Sequence, residues 1–149
     1  MVDRRRLRRL LQRITEDLSF LDARATGDRA VLVGDQERMA ALKYVFVTAI
    51  EGCIDVAQHL AASEGWGPPA TNADAIRLLG RHGVVDGALA AQVAPAVGFR
   101  NVLVHGYVEV DDDRVVAYLD RLGELRAFVA AVAAFVDADA GDAGDAGEH

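Results

Sequence analysis

The 149-residue chain has one cysteine, Cys53, so neither an intrachain disulfide nor a multi-cysteine metal site can form. Its apolar, helix-like surroundings predict a small core residue. Lysine is equally scarce: Lys43 is the only one, and positive charge rests almost wholly on arginine. No His-Glu-x-x-His pair, no Gly-rich phosphate loop and no clustered ligand spacing occurs, so a metalloenzyme or nucleotide-binding fold is unsupported and no cofactor is expected. The histidines, His59, His82, His105 and His149, are scattered. No uninterrupted apolar run of membrane-spanning length is read. The arginines from Arg4 to Arg13 lead into Glu16 and Asp17 rather than into a secretory apolar core. The expectation is a cytoplasmic protein without a membrane partner.

What is present fits one globular domain: 52% of residues are hydrophobic and 26% charged, and the length suffices to bury a core. The formal charge of −7 is unevenly spread. Arg4, Arg5, Arg6, Arg8, Arg9 and Arg13 crowd the start, whereas acids gather at Asp111–Asp113 and beyond Asp137. Such asymmetry can create a local phosphate-binding surface on an acidic protein, and Arg4, Arg5 and Arg8 are the RNA-binding candidates. A solvated helix face would look the same.

The periodicity is helical throughout. Leu7, Leu10, Leu11, Ile14, Leu18 and Leu21 share one face of a helix from residue 3 to about 25. After a mixed connection containing Gly34, Asp35 caps a second helix to about Ser63, whose broad apolar face predicts a central position. Gly65-Trp66-Gly67-Pro68-Pro69 breaks the chain, with Trp66 packing the loop on the bundle. Thr71 or Asn72 caps a short third helix ended by Gly83, and Asp86 caps a fourth that Pro95 should kink. A final helix reaches about residue 137. The Ala/Gly/Asp repeat after it predicts a disordered tail. The expected organisation is therefore an all-α bundle of about five helices over 1–138 and a tail over 139–149.

The chemistry concentrates in Phe99 to Tyr107, which places a guanidinium, an imidazole and a phenol in an apolar run. Arg100 continues the stripe of Leu89, Val93, Ala96 and Val97, where packing would favour an aliphatic residue, so it must be paired, snorkelled or set in a polar pocket. His105 diverges from it by about 140° on an ideal helix. The two converge only if the helix ends there or a second copy supplies one of them. Gly106 is a fitting C′ residue, and a histidine in a last turn has its charged form favoured by the helix dipole. On the second helix, Tyr44, Thr48, Glu51, Asp55 and His59 fall roughly in a row. Either that row is a solvated face with Asp55 and His59 paired, or Glu51 or Asp55 borders the Arg100 and His105 pocket, pairing with the arginine or fixing the imidazole tautomer. An Arg-x4-His spacing alone is weak, since Arg77 and His82 repeat it.

With its flanking residues, Arg100-Asn101-x-Leu103-Val104-His105-x-Tyr107 resembles the signature of the HepT toxins of the HEPN-domain superfamily. The likeness extends over roughly residues 3 to 137 and includes the segment Ala49 to Ala57. It implies an antiparallel, homodimeric helical bundle and a metal-independent endoribonuclease toxin of a type VII HepT/MntA toxin–antitoxin pair. Arg100 and His105 would be catalytic, Asn101 supporting, with Glu51 or Asp55 at the pocket's edge. Tyr107 would receive AMP from a minimal nucleotidyltransferase antitoxin of the MntA kind, adding bulk and negative charge beside the pocket. The alternative is a non-catalytic dimeric module that binds a nucleotidyltransferase or a nucleotide, with Arg100 and His105 as phosphate ligands.

Overall fold

A computed structural model describes residues 2–106 and 110–147. Its regular elements are α1 (Arg4–Ala25), α2 (Arg29–Val33), α3 (Gln36–Glu64), α4 (Asn72–Arg81), α5 (Gly87–Val93), α6 (Pro95–His105), α7 (Asp112–Ala117), a 3₁₀ turn (Tyr118–Arg121) and α8 (Leu122–Gly147). This is the all-α bundle expected, with two of its long segments cut as local chemistry dictates and one connection helical. Pro95 cannot donate the amide a continuous helix needs, so the fourth helix breaks at Ala94 and restarts with the proline in its first turn. The last segment passes through a 3₁₀ turn before α8. The connection after α1 contains the extra short helix α2, capped by Asp28; five residues are too few for periodicity to reveal.

Capping follows the sequence closely. The Asp35 carboxylate accepts from the Glu37 and Arg38 amides, Thr71 caps α4 through the Asp74 amide, and Asp86 caps α5 through the Ala88 amide. The central α3 buries Leu42, Phe46, Ala49, Ile50, Cys53, Val56, Ala57 and Leu60. Burial pushes the Cys53 thiol up to about 12, which makes it inert as a nucleophile. α1 lies on α3 at very short range because Gly52 has no side chain. A β-carbon there would stand 2.5 Å from Ile14 Cγ1.

α8 runs on to Gly147, and its acids are anchored to the N-terminal arginines: Arg4 Nη2 donates to the Asp139 backbone carbonyl at 3.1 Å and pairs with its carboxylate at 3.4 Å, while Arg8 pairs with Asp137 at 3.8 Å. A low-complexity composition says nothing about such partners.

One stretch, Gly87–His105, is long and apolar enough to cross a membrane by length and composition, although Gln92, Arg100 and Asn101 interrupt its apolar run. It is α5 plus α6, interrupted at Ala94, with Ala90, Val93, Ala96, Val97 and Phe99 buried in the bundle.

Candidate active site

α6 is held by its apolar side. Phe99 is buried and stacks on Tyr118 with ring centroids 4.0 Å apart, and meets Phe46 of α3 edge-on at 5.4 Å. With Phe99 fixed inward, the next residue emerges at the edge of the α3–α6 contact. Arg100 accordingly keeps 22% of its side-chain surface exposed, neither core nor free.

Its partner is the carboxylate of Glu51. Arg100 Nε and Nη2 both donate to Glu51 Oε1, at 3.2 and 2.9 Å, and Nη1 donates to Asn101 Oδ1 at 2.9 Å. Three of the guanidinium's five N–H donors are thus engaged. Of the three fates open to a charge on the packing stripe, pairing, snorkelling or a polar pocket, Arg100 shows the first, with one of the two carboxylates that could border the pocket.

Asp55, one turn further along α3, shares with Glu51 and Arg100 a polar notch of about 330 Å³ completed by Ile54, Gln58 and Asn72. Burial of its carboxyl, and then the Glu51 charge, raise the Asp55 pKa above the ordinary carboxylate value; Arg6, Arg100 and Arg13 partly offset this. No hydrogen bond or ion pair joins Asp55 to His59 among the described residues, and His59 Nε2 is buried without a partner. The row along α3 is therefore divided: Thr48 donates to Asp17 at 2.7 Å, Glu51 holds Arg100, and Asp55 faces the notch.

His105 is the last residue of α6 and is exposed. Gly106 terminates the helix in the left-handed region, φ 51°, with its amide on the Val102 carbonyl, as expected of a C′ glycine. Arg100 and His105 stand on one continuous helix. No bond links them within the described residues, so the helix end does not bring them together in a single copy. Tyr107 lies outside the described residues.

The other predicted residues separate. Arg4 and Arg8 are engaged with α8, whereas Arg5 is exposed and has no ion pair among the described residues. Arg6 and Arg13 are instead the α1 arginines that act on Asp55, and Arg13 lines a small cleft with Glu51 and Asp55. Their seven-residue spacing puts both on one face of α1, a signal available in the sequence. Gln58 was equally legible, three residues after Asp55 on the same stripe. Asn72 was not: it enters the notch only because the loop through Pro68 and Pro69 returns α4 to α3, where Gln58 Nε2 donates to Asn72 Oδ1 at 2.7 Å.

The helical bundle that carries this notch is a fold already seen in solved structures. A solved structure described as a tri-AMPylated Shewanella oneidensis HEPN toxin in complex with MNT antitoxin superposes with a TM-score of 0.79 at 24% identity, covering 90% of this chain and 99% of that one. The chain belongs to the HepT-like family, described as "Ribonuclease HepT-like", whose model matches residues 5–132. Among its relatives, the "mRNA nuclease HepT" of Shewanella oneidensis is 31% identical over 85 residues, 56% of this chain and 64% of that protein. The "tRNA nuclease HepT" of Aphanizomenon flos-aquae is 35% identical over 65 residues, 44% of each. The matched segment thus spans less than two-thirds of either relative's length.

Proposed function

We propose that this protein is a cytoplasmic, metal-independent endoribonuclease, the toxin of a type VII toxin–antitoxin pair, acting as a homodimer. The observation that carries the reading is Arg100 itself. A carboxylate already sits where a guanidinium takes an anion, and the same fork geometry serves phosphate. RNA would displace Glu51 from Arg100 and leave the arginine facing the scissile phosphorus. His105 would accept the proton of the ribose 2′-hydroxyl as that oxygen attacks phosphorus. It would return a proton to the departing 5′-oxygen as the P–O5′ bond breaks, leaving a 2′,3′-cyclic phosphate and a 5′-hydroxyl. Arg100 offsets charge on the pentacoordinate phosphorus, and Asn101 holds its orientation.

The two groups diverge on one helix, so a second copy supplies the histidine or the arginine of each centre. The outer side of α6 supports this, with Val102 and Val104 39% and 45% exposed beside the site, an apolar rim suited to a partner. Control falls to a nucleotidyltransferase antitoxin of the MntA kind that attaches AMP to Tyr107, two residues beyond His105. The added phosphate repels RNA and the adenosine blocks access.

Expression of wild type and His105→Ala without the antitoxin tests the enzyme: growth arrest with RNA cleavage is expected only from wild type, and equal behaviour supports a non-catalytic binding module instead. Incubation with a cognate nucleotidyltransferase and ATP, followed by intact-mass measurement, tests the control. AMP added to wild type should be absent from Tyr107→Phe, and its persistence overturns the assignment.

A further inference from the structure

The α3 side of the notch is poorly suited to phosphate. Glu51 already neutralises Arg100, and Asp55 adds a second negative charge that no ion pair matches among the described residues. What remains is a set of directed hydrogen-bonding groups. Because Gln58 Nε2 is tied to Asn72 Oδ1, the two amides are mutually oriented and leave the Asn72 amide nitrogen as a donor. The Asp55 carboxylate offers two adjacent acceptors. Ile54 supplies an apolar wall for a ring face.

We infer that this notch is a base-recognition subsite, taking the Watson–Crick edge of an unpaired guanine next to the phosphate held by Arg100. Only guanine presents two neighbouring N–H donors, at N1 and N2, that a single carboxylate accepts side by side, with the O6 acceptor beyond them for Asn72. Adenine offers one donor beside a lone pair at N1, cytosine one beside a lone pair at N3, and uracil one between two carbonyls, so each sets a lone pair against Asp55. Single-stranded RNA is the form in which this edge is open to a side chain. Asp55 and Asn72 are specificity residues here, distinct from the groups that act on phosphorus. The inference rests on the nuclease reading only in supposing that the ligand is an RNA strand.

The test uses short oligoribonucleotides with 2′-O-methyl groups, which cannot be cleaved, differing in one base, with affinity measured against full-length protein. Wild type is expected to bind the guanine probe about ten-fold more tightly than the other three, the discrimination typical of a paired edge contact. Inosine, which lacks the N2 amine, should lose most of that advantage. Asp55→Asn and Asn72→Ala should each level the four probes, whereas Arg100→Ala should weaken all four alike. Equal binding of the four probes to wild type, or an inosine probe as tight as guanine, overturns the subsite even if the variants fold poorly. Guanine selectivity without cleavage of ordinary RNA would leave the subsite standing and remove the nuclease; cleavage with no base preference would do the reverse.

Discussion

The chain carries two Arg-x4-His pairs, and the bundle treats them in opposite ways. Arg77 pairs with Asp74 three residues back on its own helix, at 2.8 Å, and His82 stacks flat on Trp66 with ring centroids 4.1 Å apart. Both are satisfied by neighbours that fix the α4 end and its loop. Arg100 instead reaches Glu51, forty-nine residues earlier, on another helix, and His105 stands exposed where α6 stops. Identical spacing thus yields a local fastening in one place and a cross-helix polar site in the other. The difference lies in what surrounds the pair: a buried phenylalanine before Arg100 orients it toward α3, and a glycine after His105 ends the helix.

The widest gap between the two pairs should appear in activity. Arg100→Ala or His105→Ala is expected to lower RNA cleavage by about 10²–10⁴-fold, while Arg77→Ala and His82→Ala stay close to wild type in the same assay; comparable losses from both pairs would erase the distinction. Phe99→Ala removes the anchor that aims Arg100 and should cost about 3–5 kcal/mol in denaturant melts, with Trp66→Ala, at a partly exposed loop, costing less. Gly52→Val, beside Glu51, forces α1 off α3 and should destabilise by about 1–3 kcal/mol, read as a fall in the denaturation midpoint.

The smallest effect concerns Asp55. Its folded pKa is raised, so between its unfolded and folded values the native state binds more protons and stability declines as pH rises through that window. Asp55→Asn removes this slope and, discounted for the exposure of the carboxylate, should raise Tm at neutral pH by only about 1–2 °C. A wild type that instead gains stability with pH there, with the slope abolished in the variant, would refute the direction.

Much of this is legible in the amino-acid sequence. The stripe through Val93, Val97 and Arg100 announced a charge at a packing position, and Pro95 and Gly106 marked both ends of α6. Pairing was one of the outcomes open to Arg100, but the choice between Glu51 and Asp55 was not legible, since a helical stripe cannot say which of two carboxylates one turn apart meets the crossing helix. Arg4 looked like a free cation because its partner, Asp139, sits in a segment whose composition suggested a tail, and Arg8 because periodicity does not show that Asp137, at the end of the expected last helix, meets α1. Gly52 gave no signal at all: the closeness of α1 exists only once both helices are packed.

The clasp between Arg4 and Asp139 joins positions 135 residues apart. α1 finds its last neighbour only when α8 has formed, so a growing polypeptide still threaded through the ribosome's exit tunnel holds that side of its first helix uncovered. Assembly of the finished bundle must therefore follow, rather than accompany, most of the chain's own translation.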